Sequence, residues 1–470
     1  MEAPATRRTG LAMSDGKRMM RLGAFFMHTG HHVTSWRHPD AQADAGVNFR
    51  HYTEIARTAE RAKFDMIFLA DSARVRTGHI DAVSRSAQYV GNFEPLTLLS
   101  AIATVTERIG LVATASTSYN EPYHIARKFA SLDWISDGRA GWNIVTSTGS
   151  NEAQNFGRES HYGHEERYER AREFTNVVLG LWDSWDDDAF VRDKASGLFF
   201  EPEKMHVLNH RGKHFSVRGP LNIPRSPQGY PVLIQAGSSD TGRGLAAEFG
   251  EAIFTAYLTL AESQDFYADV KARAAHLGRN PEHIKVLPGL SYIVGRTEAE
   301  AQEKYEYLQS LIHPMVAREV LSMTLGGVDL SPYPVDGPLP DLPLSNEGSQ
   351  SSFRTTMKLA RDENLTIRQL GLRLAAGRQR HHVTGSAEHV VDVMEEWFTH
   401  GAADGFNILP PYLPGALDDF VELVVPELRR RGLFRTEYEG TTLRENLGLP
   451  RPSGRYAKER SELERAAQVD

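Results

Sequence analysis

The sequence predicts an α/β protein: a (β/α)8 TIM barrel with insertion segments and a C-terminal arm. Eight short apolar runs alternate with amphipathic helical stretches along the chain. The runs are continuous rather than alternating, as in parallel strands buried on both faces. Eight of them, each followed by a helix or a long excursion, suit a closed barrel. The turn after the first run, HTGHHVTSWRHPD, holds one glycine and no G-x-G-x-x-G, which argues against the open dinucleotide-binding sheet.

Residues 1–20, MEAPATRRTGLAMSDGKRMM, lack the apolar core of a signal peptide and read as a disordered leader, with Met19 or Met20 an alternative start. Arg21–Met27 (RLGAFFM) is the first strand. Phe49–Lys63 is a helix with Tyr52, Ile55, Ala56, Ala59 and Ala62 on one face. Asp65–Ala70 is the second strand, closed by Asp71. Pro95–Thr106 is a helix whose proline sits in the first turn, where a missing N–H is harmless. Ile109–Ala115 is a strand, Pro122–Ile135 a helix stopped at Asp137-Gly138, and Ala140–Thr146 the fourth strand. Glu165–Trp185 is a long amphipathic helix.

The alternation then resumes with strands Val232–Ala236, Ala252–Ala256, Ile284–Val294 and Gly405–Leu409. Their helices are Thr241–Phe249, Ser263–His276, Glu298–Leu311, Ser386–His400 and Leu417–Arg431. The barrel domain spans 21–432, with insertions at about 186–230 and 312–384 and an arm from 433 to 470 that wraps a partner subunit or stays disordered. The first insertion carries the hairpin-like HVLNHRGKHFSV. The second holds Pro332, Pro334, Pro338, Pro340 and Pro343, which predict an irregular loop or lid over Gly326–Gln350. Asn364–Thr384 is expected to add helix, and the acidic WDSWDDD of Trp182–Asp188 to be a solvated helix end.

Composition narrows the chemistry. A net charge of −8 gives no support to nucleic-acid binding. The absence of cysteine excludes disulfides, thiolate metal sites, iron–sulfur clusters and cysteine nucleophiles. No apolar stretch is long enough to span a membrane, so a cytoplasmic protein is expected. His206, His210 and His214 are spaced like zinc ligands on a helix, but Gly212 and the flanking β-type residues favour a hairpin; no metal is expected.

Barrel chemistry sits at the C-terminal strand ends. Polar residues there are His28 after the first strand, Asp71 and Ser72 after the second, Ser116 and Thr117 after the third, and Asn143 and Thr146 at the fourth. Ser238 and Ser239 follow the fifth and Tyr257 the sixth. The segment GSSDTGRG joins a strand to a helix start, an arrangement that cradles phosphate or is simply structural.

Several long stretches resemble one family in the same order. They are FLADS (Phe68–Ser72), ATASTSYNEPYHIARKFASLDWISDGRAGWNIVTS (Ala113–Ser147), NFGRESHYGHEERYERA (Asn155–Ala171) and QAGSSDTGR (Gln235–Arg243). The family is the bacterial-luciferase-like flavin-dependent monooxygenases, in the subgroup of nitrilotriacetate monooxygenase component A and the sulfone and alkane monooxygenases. The resemblance implies the oxygenase component of a two-component system. Such an enzyme takes FMNH2 from a separate NAD(P)H:FMN reductase, reacts it with O2 to a flavin 4a-hydroperoxide, and oxygenates a small organic substrate. It also implies FMN contacts at Asp71, Thr117, His164, Tyr168 and Ser239, with Asn143 and Ser238 added. His164 and Tyr168 lie four apart at a helix start and share a face.

Phe68 and Phe254 are candidates for an aromatic substrate face, and His28 for hydroperoxide stabilisation or acid–base work; His381 and His382 are weaker candidates of that kind. The competing reading of Asp71 is a loop cap, of Asn143 a core amide, of the phenylalanines ordinary core, and of His28 a solvated loop histidine. Competing functions are a deazaflavin-dependent oxidoreductase of the same superfamily, a non-catalytic flavin-binding protein and a metal-dependent barrel hydrolase. A homo-dimer or tetramer is expected.

Overall fold

The structure is a computed structural model that describes residues 18–75, 78–88, 90–147, 149–343, 350–377 and 381–456. The leader through residue 17, the arm beyond 456 and part of the proline-rich segment lie outside the described residues.

Among the described residues there are eleven strands. They are β1 (Arg21–Phe26), β2 (Met66–Leu69), β3 (Gly110–Ser116), β4 (Ala140–Val145), β5 (His210–Arg211), β6 (Ser216–Val217), β7 (Val232–Gln235), β8 (Ala252–Thr255), β9 (Lys285–Gly295), β10 (His381–Ser386) and β11 (Gly405–Leu409). Eight of these close a parallel ring in the order β9–β11–β1–β2–β3–β4–β7–β8, with β8 paired back to β9. The eight strands expected from the apolar runs are these eight, so the (β/α)8 barrel holds.

The pleat decides what faces inward. Trp142 packs outward on Phe129, Phe174 and Trp182 of the surrounding helices, with ring centroids 5.8, 5.9 and 6.2 Å away. Its neighbours Gly141 and Asn143 therefore point into the barrel. The interior itself is filled by Phe25, Met66, Phe68, Val112, Ile234 and Leu287 among others.

Three departures from the sequence reading have physical causes. First, His381–Ser386 is not helix: β10 runs parallel to the second half of the long β9, His381 opposite Leu290 and Ser386 opposite Gly295. β8 pairs only with Lys285–Pro288, which leaves the rest of that edge free for another strand. Second, the described part of the C-terminal arm folds onto its own barrel. Leu443, Leu447 and Leu449 join the barrel-interior cluster at the N-terminal mouth. Gly110 makes room for this plug, since a Cβ there would lie 2.4 Å from Leu443. Arg444 forms a double ion pair with Glu251 (2.5 and 3.0 Å), and Arg435 reaches the buried Asp65 at 2.8 Å. Residues 18–20, expected in the leader, are likewise held: Arg18 pairs with Asp404 at 2.5 Å and Met20 is fully buried. Third, the acidic run at 182–188 is more than a solvated end. Trp182 and Trp185 are buried, and Arg225 bridges Asp183 and Asp187 at 3.1 and 3.0 Å.

The first insertion contains the expected hairpin, His210 pairing with Val217 across β5 and β6. In the second, helices Pro314–Thr324, Gln350–Asp362 and Ile367–Gly377 build a small core of their own. Leu330, Val335, Leu339 and Leu342 of the proline-rich stretch pack onto it. Among the described residues no helix is long and apolar enough to cross a membrane.

Candidate active site

A cavity of about 660 Å³ opens at the C-terminal strand ends. Its wall comes from four neighbouring strands: Asp71 beyond β2, Thr114–Ser116 of β3, Ile144–Ser147 at the end of β4, and Gln235–Gly237 at the end of β7. Tyr168 closes one side from helix His164–Trp182. Tyr119 and Phe156 close another, their rings stacked 4.8 Å apart.

Asp71 lines this space, and burial together with the charges of Glu94 and Glu152 pushes its carboxyl up to about 6. Glu94 is fixed in place as the cap of helix Pro95–Ile102: its two oxygens accept from Leu96 N (3.1 Å) and Thr97 N (2.7 Å). Two cations, Arg74 and Lys128, also reach the cavity.

The turn after β7 is built by close backbone packing. A Cβ on Gly237 would lie 2.8 Å from the Gly242 Cα and 2.7 Å from the Gln235 amide, so only glycine fits. Gly237 N donates to Gln235 Oε1 at 2.6 Å. Ser239 caps helix Asp240–Phe249, its Oγ accepting from Gly242 N at 3.1 Å. A hydroxyl that accepts still has its own hydrogen to give. Ser238 and Ser239 are exposed, beside the cavity-lining Gly237 and at a helix N-terminus. His164 and Tyr168 have ring centroids 5.0 Å apart, the tyrosine buried and the histidine exposed.

Asn143 points into the barrel and is buried. Its orientation follows from its neighbours. Thr114 Oγ1 gives its hydrogen to Leu69 O (2.7 Å) and so accepts from Asn143 Nδ2 at 2.9 Å. Asn143 Oδ1 is then left buried with no partner in the protein. Thr114 lines the cavity, and an orphaned acceptor on its partner is suited to a ligand N–H.

Other sequence candidates sit elsewhere. Thr117 is fully buried, its hydroxyl spent on Val145 O at 3.1 Å. Phe68 and Phe254 lie 6.2 Å apart in the barrel interior, both against Phe25. His28 does not line the cavity: it sits in a small separate recess with Tyr52 and Phe93, donates to the Ala87 backbone, and burial lowers its basicity. His382, on β10, is pushed down to about 4 by burial and bonds Thr384 at 2.8 Å. His206 and His210 turn to different carboxylates, Asp186 and Glu173. Among the described residues no group of three or more potential ligands is placed to hold a metal ion.

The structure adds residues that sequence reasoning passed over. Ser147 lines the cavity with φ +54°, a left-handed conformation rare outside glycine. Glu152, nearly buried, accepts from Ser147 Oγ at 2.9 Å. Glu94 was detectable as a capping residue just before Pro95; Ser147 and Glu152 carried no such local signal.

Residues 27–404 match the family described as luciferase-like monooxygenase. The chain is 53% identical over 448 residues to N-acetyl-S-(2-succino)cysteine monooxygenase of Bacillus subtilis (strain 168), covering 95% of this chain and 100% of that protein. It is 52% identical over 448 residues to nitrilotriacetate monooxygenase component A of Aminobacter aminovorans, covering 94% and 99%. A solved riboflavin lyase, with modified FMN and substrate riboflavin, superposes with a TM-score of 0.82 at 34% identity, over 93% of this chain and 97% of that one. The barrel, the cavity at its C-terminal mouth and these full-length similarities together make the chain a member of the luciferase-like monooxygenases, an oxidoreductase of the branch that includes nitrilotriacetate monooxygenase component A.

Proposed function

We propose that the protein is the oxygenase component of a two-component FMNH2-dependent monooxygenase. It takes reduced FMN from a separate NAD(P)H:FMN reductase and uses O2 to oxygenate a small organic substrate. The observation that carries the reading is the cavity itself. Its 660 Å³ falls within the roughly 300–1,000 Å³ of small-molecule and cofactor sites. Its wall residue Gly237 leads directly into a helix N-terminus with two serines, and its wall residue Thr114 is bonded by Asn143, whose amide oxygen has no partner in the protein. A flavin mononucleotide asks for that pair: an anion site for its phosphate and acceptors for its ring N–H groups. The name component A of one relative and the modified FMN of the riboflavin lyase support the same assignment.

In this reading Ser238, Ser239 and the first turn of helix Asp240–Phe249 hold the phosphate, with His164 and Tyr168 facing it from the neighbouring helix. Asn143 Oδ1 accepts from the polar edge of the ring. Phe25, Phe68 and Phe254 pack on one another in the barrel interior, which keeps water out of the barrel itself. The Asp71 carboxyl, ionising at about 6, holds or releases a proton within the cavity near neutrality. Thr117 acts through the backbone it fixes, and His28 takes no part. Reduced flavin held there would supply the two electrons that, with two from the substrate, let one atom of dioxygen enter substrate and the other leave as water.

An anaerobic titration with chemically reduced FMN tests this. Binding is expected, and Ser239→Ala and Tyr168→Phe should each weaken it about tenfold, the scale of one lost charge-assisted hydrogen bond. Absence of binding, or unchanged affinity in both variants, overturns the assignment. Nitrilotriacetate and N-acetyl-S-(2-succino)cysteine, for which two relatives are named, are the first substrates to assay for reductase-coupled oxygen uptake.

A further inference from the structure

The cavity wall contains a chain of hydrogen bonds with a fixed direction. Ser118 N donates to Ser116 Oγ at 3.1 Å. Ser116 Oγ lies 2.8 Å from Ser147 Oγ, and Ser147 Oγ donates to Glu152 Oε1 at 2.9 Å. A hydroxyl has one hydrogen and two lone pairs, and a carboxylate has no hydrogen at all. With the Ser147 hydrogen committed to Glu152, the Ser116 hydrogen must go to Ser147. Each serine oxygen is left with one lone pair and no hydrogen for the cavity that both line.

The surroundings hold the chain in place. Ser147 keeps its left-handed backbone, and its carbonyl accepts from Arg167 Nη1 at 3.3 Å. The Ser116 carbonyl accepts from Asn120 Nδ2 at 2.8 Å, and Ser118 Oγ donates to Thr146 O at 2.6 Å.

We infer that Glu152 is a positioning residue: by orienting the Ser116–Ser147 pair it gives the cavity wall an acceptor-only patch that favours reduced over oxidised flavin. The inference rests on the FMN reading above and deepens it. A reduced isoalloxazine carries an N–H at N5, also in its anionic form, where the oxidised ring has a bare nitrogen acceptor. An acceptor facing a donor forms a hydrogen bond; an acceptor facing an acceptor leaves two groups unpaired. A patch so polarised would hold the reduced ring more tightly than the oxidised one.

The test is the ratio of dissociation constants for oxidised and reduced FMN, measured on the full chain, anaerobically for the reduced form. Titrations at about pH 8 keep Asp71, which ionises at about 6, charged throughout. Glu152→Gln offers an amide donor to Ser147 and releases the polarity of the chain, so the preference for reduced FMN should fall about tenfold. Ser147→Ala should lower it similarly without touching the charge beside Asp71, and Glu152→Asp should restore part of it. The double variant Glu152→Gln/Ser147→Ala should lose little more than either alone, because the two act as one unit. If the variants weaken both flavin forms alike, leaving the ratio at its wild-type value, Glu152 is merely structural and the inference falls while the FMN site stands. If the wild type binds neither form, both fall.

Discussion

Asp71 shows how surroundings change the chemistry of one residue. A strand-end aspartate in water is ionised at neutral pH, but here burial and the charges of Glu94 and Glu152 raise it to about 6. Below that pH the group is neutral; above it, it is a carboxylate and a stronger acceptor. As a partner for a flavin or substrate donor it should therefore tighten reduced-FMN binding as pH rises through about 6, by up to about tenfold. Asp71→Asn should lose that inflection, and comparison with the variant removes any titration of the flavin itself. Equal pH dependence in the two proteins would exclude the role. The same scale shows what sequence can reveal of a site. Asp71 and the serines after β7 were named from strand ends and Tyr168 from the family resemblance, and Asp71 and Tyr168 do line the cavity. Ser147 was not legible, because its left-handed backbone and its bond to Glu152 depend on how the segment after β4 folds back. His28 has the right chemistry at a strand end, yet its ring turns to the Ala87 backbone.

At the scale of elements, the turn from β7 into helix Asp240–Phe249 is the clearest case of sequence dictating geometry. Gly237 has no room for a Cβ against the Gly242 backbone, and Ser239 occupies the capping position. Gly237→Ala must push the turn outward. Reduced-FMN affinity is expected to drop at least about tenfold in a titration, while the thermal midpoint moves by no more than about 4 °C, since the turn is exposed. A variant that binds normally would show that the turn does not hold the cofactor. Element boundaries were read to within a few residues for most of the barrel; Pro122–Ile135 is observed as expected. The failure at β10 is instructive. HHVTGS carries only a short strand-like run, and it becomes a strand because the free edge of β9 supplies its hydrogen-bond partners.

The whole molecule depends on an arm that its sequence does not connect with the barrel. The bidentate pair of Arg444 with Glu251 sits beneath the ring, and Glu251 Oε2 also accepts from Leu233 N of β7 at 3.0 Å. Arg444→Ala would strand a buried carboxylate and should destabilise the protein by about 3–5 kcal/mol, read as a lower urea midpoint. Arg444→Met combined with Glu251→Gln should lose less, because no unpaired charge remains. An unchanged midpoint in the single variant would show that the plug is dispensable.

The sequence by itself determined the periodicity: eight buried strands, their helices, and hence the mouth at which chemistry had to lie. It did so because alternation and apolar runs are local properties of the chain. Only the tertiary structure decided which side chains share the cavity, which acceptor is left without a partner, and what fills the barrel's other mouth. Those outcomes depend on residues tens to hundreds of positions apart meeting in one place, as Asn143 meets Thr114 and Leu443 meets Gly110.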